Sequence, residues 1–221
     1  MILAPSVMCA DYFSLGEELS DLKAAGADMF HIDVMDGDYV PNFACGPETF
    51  KCAARLSMPY DAHLMVARPG RHIKLFADLG ASVIYMHPEA ELHPYKILNE
   101  IRDLGVSPGI AINPGTSLES CMELFPLCDW VLLMAVNPGF AGQKFLESAM
   151  DKARRLNALK ERFKFRIAAD GALSQARIKA LCALGVECFV LGTSALFGKG
   201  RPYKDIIEEI REENGSEAKI S

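Results

Sequence analysis

Residues 25–34 read Ala25-Gly26-Ala27-Asp28-Met29-Phe30-His31-Ile32-Asp33-Val34, and their reading decides the fold. A glycine that accepts a left-handed conformation cheaply is the usual helix stop, and the short apolar run behind it is strand-like. The same phrase recurs as Leu79-Gly80-Ala81-Ser82, Leu104-Gly105-Val106-Ser107 and Leu184-Gly185-Val186-Glu187, a weak internal repeat of one helix–strand unit. Working outward, the strand-like runs are Ile2–Pro5, Met29–Val34, Tyr60–Met65, Val83–Met86, Gly109–Ile112, Trp130–Val136, Phe165–Ala169 and Cys188–Leu191. Helical patterns lie between them at Leu15–Ala25, Arg71–Leu79, Pro94–Leu104, Phe145–Glu161, Gln175–Leu184 and Tyr203–Glu212, with weaker ones at Glu48–Leu56 and around Leu118–Phe125. Strict alternation predicts a parallel sheet whose strands are covered on both faces. Eight such pairs favour an α/β fold of the closed (β/α)8 TIM-barrel type over an open doubly wound sheet. The expectation is a single barrel domain over residues 1–221, with a polar tail at 213–221 that frays.

The chain has 221 residues, which suits one large α/β domain that needs no disulfide staples. Its formal net charge is −6 and no basic stretch stands out, so nucleic acid is not an expected partner. The seven cysteines form no C-x-x-C pair and are odd in number, which points to free thiols in a reducing compartment. No charged leader with a long apolar segment precedes the first strand-like run, so the expected location is cytoplasmic, with no membrane partner.

In such a barrel, functional side chains collect at the carboxyl ends of the strands. His31 and Asp33 are two residues apart on one strand and therefore share a face. His63, within Asp61-Ala62-His63-Leu64-Met65, ends the next strand, and Asp170, within Ala168-Ala169-Asp170-Gly171, arrives from across the barrel. Any one of them alone reads as a hydrogen-bonded structural group. Two imidazoles and two carboxylates converging on one axis instead suit a divalent ion, Zn²⁺, Fe²⁺, Mn²⁺ or Co²⁺. Burying two unpaired carboxylates is costly, and a cation offsets that cost.

Small residues form a second cluster, in Asn137-Pro138-Gly139-Phe140-Ala141-Gly142, Gly171-Ala172 and Gly192-Thr193-Ser194. They let backbone N–H groups approach an anion, and barrel enzymes often hold phosphate with the last two loops. Met35, Met65 and Met134 read by default as core filler. His87 is either substrate-facing or structural, and Ser6 either offers its hydroxyl to a substrate or caps a turn. Asp36 and Asp38 are expected to stabilise the loop after the second strand, and His72 and His93 to be solvated.

Taken together, Ala4-Pro5-Ser6, His31-Ile32-Asp33-Val34-Met35-Asp36-Gly37, Val40-Pro41-Asn42, His63-Leu64-Met65, Val136-Asn137-Pro138-Gly139-Phe140-Ala141-Gly142-Gln143, Asp170-Gly171 and Gly192-Thr193-Ser194 resemble the ribulose-phosphate 3-epimerase family, from Ile2 to about Ile210. The resemblance implies a barrel of the ribulose-phosphate-binding type and an isomerase that inverts C3 of a ketose phosphate. It implies Asp33 and Asp170 as paired acid and base, and His31, Asp33, His63 and Asp170 as ligands of one divalent metal ion. Ser6 and His63 would contact substrate, and Met35, Met65 and Met134 would cap the enediolate. Gly139, Phe140, Ala141, Gly142, Gly171, Ala172, Gly192, Thr193 and Ser194 would surround the phosphate. A homo-oligomer is also implied.

The chain departs from common members at Val7-Met8-Cys9-Ala10-Asp11 and at Asp170-Gly171-Ala172. With His87-Pro88-Glu89 and Gly192-Thr193-Ser194-Ala195-Leu196-Phe197, these stretches look more like the allulose-6-phosphate 3-epimerase branch. The substrate they imply is D-allulose 6-phosphate, with D-ribulose 5-phosphate as the alternative. Other phosphate-binding barrels, such as aldolases and synthases, commonly use a buried lysine that no strand end here offers. A sugar-phosphate sensor without turnover is the non-enzymatic alternative, and the presence of both aspartates argues against it.

Overall fold

The apolar runs become strands in a computed structural model that describes residues 1–215. In chain order these are β1 (Ile2–Pro5), β2 (Phe30–Asp36), β3 (Phe43–Ala44), β4 (Tyr60–Met65), β5 (Val83–Met86), β6 (Ser107–Ile112), β7 (Trp130–Met134), β8 (Arg166–Asp170) and β9 (Cys188–Leu191). The helices are α1 (Leu15–Ala24), α2 (Pro47–Ala54), α3 (Ile73–Asp78), α4 (Pro94–Asp103), α5 (Ser148–Phe163), α6 (Gln175–Ala183) and α7 (Tyr203–Glu213). The strands run in the order β1-β9-β8-β7-β6-β5-β4-β2-β3, parallel except for the two-residue β3. β1 and β2 then meet through a parallel bridge between Ser6 and His31, and Asp28 N donates to the Leu3 carbonyl at 3.0 Å. The curled sheet is thereby a (β/α)8 barrel with β3 appended to the end of β2.

Strand parity sorts the side chains. One set, including Ala4, Met29, Tyr85, Trp130, Leu132, Ala168, Cys188 and Val190, fills the barrel interior. The opposite set, including Leu3, Phe30, Ile32, Leu64, Ile84, Val131 and Phe189, packs under the helices. Helix α4 shows how a helix is fixed there: Pro94 opens its first turn, and Ile97, Leu98 and Ile101 are its buried stripe. Gly109 is glycine because of the interior, since a methyl there would lie 2.5 Å from the Tyr85 ring. The repeated helix-stop phrase behaves as read: Gly26, Gly80, Gly105 and Gly185 have φ between +78 and +94°.

Several boundaries differ from expectation. The segment around Leu118–Phe125 is not a helix but carries two 3₁₀ turns, Glu119–Cys121 and Phe125–Leu127, and Pro126 in the second has no N–H with which to continue an α-helix. Helix α3 is shorter than its pattern, because a 3₁₀ turn at Pro69–Arg71 precedes it. Turns follow Gly192. Of the tail 213–221, Glu213 closes α7, and 216–221 lie outside the described residues. All seven cysteines are free. Among the described residues no helix is long and apolar enough to cross a membrane.

Candidate active site and metal centre

Register brings the polar strand-end residues together. Asp33 on β2 pairs with His63 on β4, and His31 pairs with Asp61 one inward-facing position deeper. Asp170 ends β8, across the barrel from them. One ligand atom each from His31, Asp33, His63 and Asp170 lie within 4.8 Å of one another. Asp33 Oδ1 is the hub, 3.1 Å from His31 Nε2 and 3.0 Å from His63 Nδ1. Its Oδ2 accepts a 2.7 Å hydrogen bond from Ser6 Oγ, so Ser6 orients the carboxylate instead of capping a turn.

The electrostatics follow from this packing. Burial disfavours the charge on Asp33, but His31 and His63 outweigh it and hold its carboxyl well below the usual carboxylate range. Burial likewise opposes the charge on His31, and the carboxylates of Asp61 and Asp33 overcome it, raising the ring well above ordinary histidine. Asp170 is different: burial first, and then the charge of Asp33, push it up to about 6. Two like charges in a largely dry site are what a cation relieves. The donor set of two imidazole nitrogens and two carboxylates also suits a first-row divalent ion. The residues therefore fit a metal.

Above this cluster opens a cleft of about 550 Å³, partly open to solvent. Asp33 and Asp170 line it together with Met35, Met65 and Met134 and the loops 137–143, 171–173 and 192–194. Met35 and Met65 pack with Val40 at the mouth, whereas Met134 belongs to the interior core. Ser6, Gly139, Phe140, Ala141, Gly142, Gly171, Ala172, Gly192, Thr193 and Ser194 all border the cleft. His63 does not; it is fully buried beneath.

Residues without a periodic signal hold the loops in place. Asn42 Nδ2 donates to the Gly139 carbonyl at 2.7 Å, and Gln143 Nε2 donates to the carbonyls of Asn137 and Phe140 at 2.6 and 2.9 Å. Asp36 accepts from the backbone of Asp38, Tyr39 and Ala67 at 2.7–3.0 Å, whereas Asp38 contributes only its N–H. Cys9 also lines the cleft, its thiol pushed up to about 11 by burial and then by the charge of Asp33. His87, open on sequence grounds, is buried against His63 and away from the cleft. His93 is exposed and His72 half-buried.

Gly171 carries the turn from β8 into the loop that follows it. It has φ +109°, and a methyl there would lie 2.9 Å from the Val136 backbone nitrogen. Gly171→Ala is expected to destabilise the protein by roughly 1–3 kcal/mol. A lower urea midpoint with an unchanged slope checks this.

Comparison with known proteins agrees with this geometry. A model of the ribulose-phosphate 3-epimerase family matches residues 2–197. The chain belongs to that family. Curated relatives include ribulose-phosphate 3-epimerases from Aquifex aeolicus, 38% identical over 95% of this chain and 94% of that one, and from Escherichia coli K12, 39% identical over 96% and 95%. With that membership the chain is an isomerase of the epimerase type. Among solved structures, KGPDC from Streptococcus mutans superposes with a TM-score of 0.71 at 13% identity, covering 97% of each chain. A tryptophan synthase α-subunit mutant from Pyrococcus furiosus gives 0.69 at 16%, covering 97% of this chain and 96% of that one. At those identities the two structures speak for the barrel alone.

Proposed function

We propose that this family member inverts C3 of a ketose phosphate, with Asp33 and Asp170 as the two proton-transfer groups. The observation that carries the reading is their placement: carboxylates from β2 and β8, strands that face each other across the barrel, line one cleft. Removing a proton beside a carbonyl needs a base in hydrogen-bond reach of it. One aspartate takes the C3 proton, the electron pair passes towards the C2 oxygen to give an enediolate, and the other aspartate returns a proton to C3 from the opposite face. In the reverse direction the two exchange roles. Ser6, through its hydrogen bond to Asp33 Oδ2, holds one carboxylate in place. Met35, Met65 and Met134 exclude water over the reacting carbons, and the glycine-rich loops take the phosphate through backbone N–H groups. His31, Asp33, His63 and Asp170 would hold a single divalent ion, Zn²⁺, Fe²⁺, Mn²⁺ or Co²⁺, supplying positive charge beside the oxygens on which negative charge develops.

The curated relatives favour D-ribulose 5-phosphate, interconverted with D-xylulose 5-phosphate, as the substrate. A second reading, D-allulose 6-phosphate, draws on two cleft residues, Cys9 and Ala172. Ala172 holds φ +52°, a strained conformation for a residue with a side chain, and such strain at a site suits a role for its methyl. Turnover of the two sugar phosphates side by side decides between them. The expected result is the higher kcat/KM on ribulose 5-phosphate; preference for allulose 6-phosphate would transfer the assignment to the hexulose.

A further inference from the structure

We propose that Asp61 and His87 are positioning residues, which fix the ring nitrogen that His31 and His63 each present to the metal cluster. The inference rests on reading that cluster as a metal site. The two imidazoles face it with opposite nitrogens. His31 turns Nε2 towards Asp33 and Nδ1 away, whereas His63 turns Nδ1 towards Asp33 and Nε2 away. A buried polar group meets each nitrogen that points away. Asp61 Oδ1 lies 2.8 Å from His31 Nδ1, and His87 Nε2 lies 2.9 Å from His63 Nε2. Asp61 is 1% exposed and His87 fully buried, and neither borders the cleft.

An imidazole donates a lone pair only from an unprotonated nitrogen, so a neutral ring must keep its proton on the other one. Asp61 holds the proton on His31 Nδ1, so that Nε2 is the nitrogen that gives up its proton to make way for an incoming ion. The two atoms stand at ion-pair distance without a well-directed hydrogen bond, and neither has another hydrogen-bond partner among the described residues. The His63–His87 contact joins two nitrogens, so one must donate and the other accept. With His63 Nδ1 given to the cluster, its Nε2–H donates to His87 Nε2, and the His87 proton rests on Nδ1, which is buried without a hydrogen-bond partner among the described residues. The Tyr39 ring packs against His87 with centroids 5.0 Å apart.

Both burials are costly, which is why a role for them is sought in the rings they touch. A carboxylate on the barrel floor and a neutral histidine behind a strand end are expensive unless they serve the rings they touch. The arrangement also separates the two ligands. His31 is backed by an anion and His63 by a neutral acceptor, so His31 is the stronger donor.

The test uses metal-stripped full-length protein titrated with Zn²⁺ against a chromophoric chelator. Asp61→Asn, which keeps the shape and removes the charge, is expected to weaken Zn²⁺ binding about 10- to 100-fold. His87→Leu should weaken it about 10-fold, and His87→Gln, which retains an acceptor, should recover most of that loss. Long-range ¹H–¹⁵N spectra of the Zn²⁺-loaded wild type should place ring protons on His31 Nδ1 and His63 Nε2. Unchanged affinity in both Asp61→Asn and His87→Leu, or the opposite ring protonation, would overturn the inference. If Asp61→Asn does not fold, the two His87 variants decide. Failure of the wild type itself to bind Zn²⁺ would remove the metal reading and this inference with it, whereas tight wild-type binding with indifferent variants removes this inference alone.

Discussion

Asp33→Asn and Asp170→Asn are each expected to lower the rate of C3 interconversion by about 10²–10⁴-fold, the usual contribution of a positioned acid or base. An asparagine cannot take up or release the proton, and a two-sided inversion needs both partners. The two variants should differ in stability. Asp33 anchors Ser6, His31 and His63 at 2.7–3.1 Å, so losing its charge leaves buried partners poorly satisfied. Asp170 has no comparable side-chain hydrogen bonds among the described residues, and burial and the neighbouring Asp33 charge raise its carboxyl to about 6. A group raised on folding costs stability once pH climbs above its unfolded value and costs it in full above its folded value. In metal-stripped protein at pH 7, Asp170→Asn should therefore be at least as stable as wild type. The advantage should fade as pH falls from about 6 towards 4, which urea unfolding across that range measures directly. An inactive but undiminished Asp170→Asn protein is the signature of a residue kept for chemistry at the expense of the fold.

Metal removal is the second large effect. Stabilisation of developing charge by a bound ion is worth several kcal/mol, which at 1.36 kcal/mol per tenfold corresponds to a loss of about 10²–10⁴-fold in kcat on chelation. Activity should return with added Zn²⁺, Fe²⁺, Mn²⁺ or Co²⁺, and the ranking of the ions identifies the preferred one. Elemental analysis should show one ion per chain, matching the single cluster among the described residues, His31, Asp33, His63 and Asp170.

Much of this site is legible in the sequence because a polar residue inside an apolar run is conspicuous. His31, Asp33, His63 and Asp170 each break such a run, and strand parity with barrel order then brings them together. Asp61 carried the same signal: it sits two residues before His63 on the same face and opposite His31 in the register. Its meaning depends on the ring orientation of His31, which no spacing encodes. The role of His87 was open for a related reason, since strand stagger decides whether its ring reaches the cleft or the back of His63. Asn42 and Gln143 act on backbone carbonyls of a loop with no repeat, so they had no pattern to betray them. The segment around Leu118–Phe125 misled because its apolar spacing is helical while Pro126 limits it to 3₁₀ turns.

The central claim is that this cleft moves the proton on C3 of a ketose phosphate and leaves the carbon skeleton intact. Incubating metal-loaded protein with D-ribulose 5-phosphate in D₂O, and following C3 by NMR, tests it most directly. The account predicts the C3 epimer carrying deuterium at C3, with no incorporation at other carbons and none catalysed by an Asp33→Asn/Asp170→Asn double variant. Carbon–carbon cleavage, exchange at another carbon, or undiminished C3 exchange in the double variant would contradict it.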